Sequence, residues 1–130
     1  MTGWLWRWGP ALAFMAAIFG ASGIPNLGPL PANTSDKVAH FVAYGLLGVL
    51  LARSFAGAEW VGYTAHAVRQ AWMTATLYAV TDELHQAFVP GRTPSVGDWV
   101  ADATGAALGA VVALGVARWA RGRCAKEREV

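Results

Sequence analysis

Four long apolar stretches, parted by short polar or proline-bearing turns, organise this chain of 130 residues. The first, over 5–24, follows Trp4, Trp6 and Trp8, whose apolar rings and polar N–H groups suit a lipid–water boundary. It is stopped by the run from Ile24-Pro25 to Pro31, where Pro29 and Pro31 deny a helix its backbone donors and dihedral freedom. The second, over 35–55, opens on Asn33, Thr34, Ser35 and Asp36, any of which can cap free helix amides, and its interior is apolar apart from His40 and Tyr44. The third, over 65–88, is polar at both ends: His66, Arg69 and Gln70 at its start, Asp82, Glu83, His85 and Gln86 at its finish. Its clean apolar middle is short, so a membrane-spanning helix competes there with an amphipathic surface helix. The fourth, over 96–119, is apolar once past Asp98 and Asp102. About 20 residues rising about 1.5 Å each match a hydrocarbon core of about 30 Å. The pattern therefore predicts an all-α protein: one domain over 1–130, a small integral membrane bundle of four transmembrane helices.

Composition moves the picture the same way. A hydrophobic content of 55% and a mean hydropathy of +0.37 exceed what so small a body can hide inside itself, and lipid is the natural cover for the remainder. The net charge of +2 is modest, but its placement sets an orientation. With four crossings, Arg7, Arg53, Arg69 and the basic tail fall on one side, while Lys37 and Arg92 fall on the other. Both termini are therefore expected in the cytoplasm. Arg7 before an apolar stretch resembles a signal peptide, but cleavage would leave an odd number of spans, so a retained first helix is expected. Arg118, Arg121, Arg123, Lys126 and Arg128, opposed only by Glu127 and Glu129, follow directly on an apolar helix. There they read as a cytoplasmic stop that touches anionic lipid rather than nucleic acid. Cys124 is the only cysteine, which excludes an intramolecular disulfide and a thiolate metal cluster.

The predicted topology gathers polar residues that lie far apart in the chain. Asp36, Lys37, His40, Asp82, Glu83, His85, Gln86, Arg92, Asp98 and Asp102 all reach the outer end of the bundle. Four-residue steps put Asp36, His40 and Tyr44 on one face, Tyr78, Asp82 and His85 form a second stripe, and Asp98 and Asp102 stand one turn apart. Unpaired carboxylates cost several kcal/mol at hydrocarbon depth, so these groups should point inward and pair. The candidates for chemistry are Asp36, His40, Asp82, Glu83 and His85; the candidates for ligand contact are Lys37, His40, Tyr44, Glu83, Gln86, Arg92, Asp98 and Asp102. The plainer reading is that charges near helix ends snorkel or pin the helices together. In the connection 89–95, Pro90-Gly91 suits the centre of a type II turn, and Ser95 with Asp98 approximates a capping box. Such a turn holds Arg92 over the helix ends, where a guanidinium could grip a phosphate or neutralise Asp82, Glu83 or Asp98. Gly97, Ala101, Gly105, Gly109 and Ala113 form a small-residue stripe for close packing against the second or third helix, with homo-oligomerisation as the lesser use.

The stretches 35–48 and 82–105 resemble the VanZ-like family. The first carries Asp36, Lys37 and His40; the second carries Asp82, Glu83, Gln86, Arg92, Asp98 and Gly105. The asparagine-like position expected before the late glycine is here Asp102 or Ala103. The resemblance implies a multi-pass protein of the bacterial cytoplasmic membrane, in a family whose namesake is associated with low-level teicoplanin resistance and has no settled reaction. Three functions remain open on these residues. One is a cell-envelope protein binding an anionic lipid or lipid-linked cell-wall intermediate. Another is an enzyme, a metal-assisted hydrolase or transferase in which carboxylates and imidazole hold a divalent ion. The third is a structural or assembly module.

Overall fold

A computed structural model of the chain describes residues 2–25, 35–59 and 62–127. It contains helices α1 (Thr2–Ser22), α2 (Asp36–Phe55), α3 (Ala65–Gln86) and α4 (Val96–Glu127), with no strand among the described residues. The helix-stopping prolines Pro29 and Pro31, the capping candidates Asn33 and Thr34, and Arg128 and Glu129 of the tail lie outside the described residues.

Local chemistry sets the ends. Ser35 caps α2, its Oγ accepting from the Val38 amide at 3.3 Å, and Thr64 caps α3, its Oγ1 accepting from the Ala67 amide at 3.2 Å. Two bonds close the far end of α2, from Gly57 N to Ser54 O and from Ala58 N to Arg53 O. This is a Schellman ending, and it needs the left-handed backbone that Gly57 adopts at φ 75°. Helix α4 does not stop at 119 but runs on to Glu127. The basic segment that was expected to end it, 120–127, is mostly Arg, Ala, Lys and Glu, good helix formers, and its one glycine, Gly122, is too small a cost to break the run where no proline follows.

The four helices alternate in direction, so that the starts of α1 and α3 share one end with the finishes of α2 and α4. Pro10 sits inside α1 and cannot donate to the Trp6 carbonyl one turn back. That carbonyl is taken by Arg53 of α2, whose Nη1 lies 2.9 Å away and whose guanidinium also stacks 4.9 Å from the Trp6 ring. Beside it Ser54 Oγ donates to Arg7 O at 2.8 Å, and Arg7 Nε donates to Ser54 O at 2.6 Å. The helix defect thus becomes a polar clamp between α1 and α2.

The tightest packing joins α2 to α4. A Cβ on Gly48 would collide with the Ala106 carbonyl, one on Gly105 with the Phe41 carbonyl, and one on Gly109 with the Gly45 carbonyl. The two backbones touch, which no larger residue would allow. Gly105, Gly109 and Ala113 of the predicted stripe are buried; Ala101 is half-buried, and Gly97 lies under the Lys37 side chain. Helix α3 packs by a second stripe that the sequence reading passed over: Ala67, Ala71, Ala75 and Ala79, all buried.

Small residues therefore fill much of the interior, around a buried Ile18, Tyr44, Leu47 and Leu51, while many large apolar residues face out. Val38, Val42 and Leu46 on α2, Leu77, Val80 and Leu84 on α3, and Leu108, Val111 and Val116 on α4 are all exposed. In water such a surface would aggregate; against lipid chains it is at no disadvantage. Two of the helices, α2 and α4, are long and apolar enough to cross a membrane.

Candidate functional site

At the end of the bundle where α2 and α4 begin and α3 finishes, helix geometry brings acids, imidazole and a guanidinium together. His40 is the centre. Its Nδ1 lies 3.0 Å from Asp102 Oδ1, and its Nε2 lies 4.0 Å from Asp36 Oδ2 one turn earlier on the same helix. Asp102 is fully buried, placed there by the same α4 face that carries Gly105 and Gly109. Lys37 Nζ reaches Asp98 Oδ1 at 3.1 Å, an ion pair that ties the start of α2 to the start of α4 at the exposed rim. From α3, Asp82 Oδ2 accepts from Tyr44 OH at 3.4 Å, and Glu83 Oε2 accepts from the Ser95 amide at 2.7 Å.

The last of these bonds overturns a local expectation. In a capping box the Asp98 carboxylate would reach back to the Ser95 N–H. Glu83 of α3 holds that N–H instead, and the Asp98 carboxylate is drawn to Lys37. Long-range charge has displaced a local cap, and α3 is pinned to α4 as a result. The turn before it forms as the residues suggest: the Arg92 amide donates to Val89 O at 3.1 Å, and Gly91 has φ 79°. With proline holding the preceding φ near about −65°, this is a type II turn.

A cavity of about 230 Å³ adjoins the cluster, its polar wall formed by Ser22, Asp36, His40, Tyr44, Asp82 and Arg92. Arg92 forms no ion pair among the described residues, and its Nε is buried without a hydrogen-bond partner. Arg92 thus makes no direct ion pair with Asp82, Glu83 or Asp98 among the described residues. Asp82 Oδ1, Glu83 Oε1 and Asp102 Oδ2 are likewise buried and unpartnered. Orphaned buried oxygens are rare enough that each asks for a reason.

Two expected members stand apart. His85 turns toward α1 and packs on Phe19, with ring centroids 3.9 Å apart, and Gln86 Nε2 donates to Ser22 Oγ at 3.5 Å. Both hold α3 against α1 rather than joining His40. Ser22 itself lines the cavity and was missed, because a lone serine at the end of an apolar helix carries no distinctive spacing. The Ser95 amide was missed because a backbone donor leaves no trace in residue type.

The donors also meet the spatial needs of a cation. His40, Glu83 and Asp102 offer ligand atoms within 4.8 Å of one another, and Asp36, His40 and Asp98 do the same. These sets mix one imidazole with two carboxylates, a combination that could hold a metal ion.

An alternating bundle with glycine and alanine at its helix contacts, many large apolar residues on its surface and an acid-rich polar end defines a small helical membrane protein. The VanZ/LLP1 family model matches residues 7–118, nearly the whole described bundle, and the chain belongs to that family. No curated protein and no solved structure matches it significantly.

Proposed function

We propose that this VanZ-like protein crosses the bacterial cytoplasmic membrane four times and binds the phosphate-bearing headgroup of an anionic lipid, or of a lipid-linked cell-wall intermediate, at the outer face. The observation that carries the reading is Arg92: a guanidinium with a buried, unpartnered N–H on the wall of a cavity. A phosphate oxygen satisfies such a donor, and the planar fork of arginine matches phosphate geometry. His40, Tyr44 and Ser22 on the same wall orient the headgroup by hydrogen bonds. Lys37 at the rim is held by Asp98 and meets the ligand first. Through this binding the protein takes part in envelope maintenance and in the glycopeptide response associated with its family.

A charge-assisted hydrogen bond contributes about 1.5–3 kcal/mol, so Arg92→Ala should weaken binding of a fluorescent anionic phospholipid by roughly tenfold or more. Binding of a diacylglycerol, which has no phosphate, should not change. The same variant, expressed at the level of the wild type, should shift teicoplanin susceptibility. Unchanged anionic-lipid affinity in a folded Arg92→Ala protein sinks the reading.

A further inference from the structure

We infer that His40, Glu83 and Asp102 form a binding site for one divalent first-row metal ion, linking α2, α3 and α4 beside the cavity. This goes beyond the headgroup reading and does not depend on it. Three observations carry the inference. The ligand atoms of the three residues lie within 4.8 Å of one another, although their parent helices are separated in sequence by turns and whole spans. The 3.0 Å between His40 Nδ1 and Asp102 Oδ1, spanned here by a hydrogen bond, is also the separation that one ion would give two neighbouring ligands, since two donors about 2.1 Å from a metal stand about 3 Å apart at right angles.

The third observation is what remains unused. Glu83 spends Oε2 on the Ser95 amide and Asp102 spends Oδ1 on His40, yet Glu83 Oε1 and Asp102 Oδ2 are buried without partners. Asp102 has no exposed surface at all, so water in bulk does not relieve it. Asp82 Oδ1, a third orphan, adds negative charge nearby. One protonated imidazole cannot satisfy all three oxygens, because its N–H groups point along only two directions. A divalent ion binds several donors at once and supplies the missing positive charge. The donor chemistry selects the metal class: imidazole with carboxylates suits zinc, manganese or iron, and the absence of a thiolate from the set disfavours copper(I). The second group, Asp36 with His40 and Asp98, is the weaker of the two, because Asp36 is exposed and Asp98 is already paired with Lys37.

The test uses the full-length protein in lipid nanodiscs, stripped with chelator and dialysed against Zn2+ or Mn2+. About one ion per chain should remain bound, with its affinity reduced at least tenfold by His40→Asn and by Glu83→Gln. Asp36→Asn and Arg92→Ala should retain it; retention in Arg92→Ala separates the ion from the phosphate ligand. Substitution by Co2+ should give the visible absorption of an ion with nitrogen and oxygen ligands, a signal absent from His40→Asn. Helicity and thermal denaturation of each variant guard against misfolding. If the wild-type protein binds neither ion stoichiometrically, or if Asp36→Asn abolishes binding while Glu83→Gln retains it, the assignment is overturned.

Discussion

Pro10 shows how a residue unfavourable in one place can be made useful by another. A proline inside a helix strands the carbonyl one turn earlier, which must then find a donor from outside its own helix. Arg53 supplies the donor and, with Ser54 and Arg7, turns the stranded carbonyl into a joint between α1 and α2. Arg53→Met should therefore cost about 1.5–3 kcal/mol, the typical contribution of a hydrogen bond made by a charged group. In a Pro10→Ala background the helix has its own amide for the Trp6 carbonyl, so the same substitution should cost less. The difference, a coupling energy of about 0.5–3 kcal/mol, is measurable by thermal denaturation of the four proteins of a double-mutant cycle. Equal costs in both backgrounds would show that the joint does not arise from the proline. The residue scale also holds the clearest contrast between local and distant chemistry: the Ser95 amide has an aspartate at capping distance in sequence, yet it bonds Glu83 across the bundle.

Helices α2 and α4 are held by backbone contact, and this contact is a property of elements rather than residues. Lipid chains are as apolar as leucine, so no hydrophobic drive brings two such helices together; close van der Waals approach takes its place. Gly105→Ala puts a methyl group into the Phe41 carbonyl and should destabilise the bundle by about 1–3 kcal/mol or more, the range for overpacking. Gly115 lies on the same helix with nothing within 4 Å of its would-be Cβ. Gly115→Ala should be neutral or stabilising by about 0.5–1 kcal/mol through helix propensity. Comparing the two melting temperatures in one detergent checks the contrast; similar shifts would mean that the contact does not bear on stability. Helix α4 adds a second element-scale feature. Its 32 residues span about 48 Å, well beyond a hydrocarbon core of about 30 Å. The basic turns past Trp119 continue as helix beyond that length, with Arg123 stacked 5.0 Å from the Trp119 ring.

Across the whole molecule, charge and packing agree on an alternating bundle. Arg7 and Arg53 meet at one end; Lys37, His40, Asp98 and Asp102 meet at the other. Under the positive-inside rule the first end faces the cytoplasm in the proposed four-span topology. Reporter fusions after Pro31 and after Pro90 should then read outside, and one after Arg123 inside. Opposite readings at Pro31 and Pro90 would separate α1 from the polar end and dismantle the cavity.

Helix content was legible in the residues because apolar runs of membrane length and caps such as Ser35 are local facts. The Pro90-Gly91 turn was legible for the same reason, since proline restricts φ and glycine tolerates the left-handed region. The likeness of 35–48 and 82–105 to a known family was also local. Which oxygens would stay unpaired was not written there, nor was the turning away of His85 to Phe19 or the loss of Asp98 from its cap to Lys37. Those outcomes depend on distances between helices, and these are decided by where two glycine-bearing backbones can touch. Residue types determined which groups would gather at one end; only the packed bundle decided which of them face one another and which are left to bind something else.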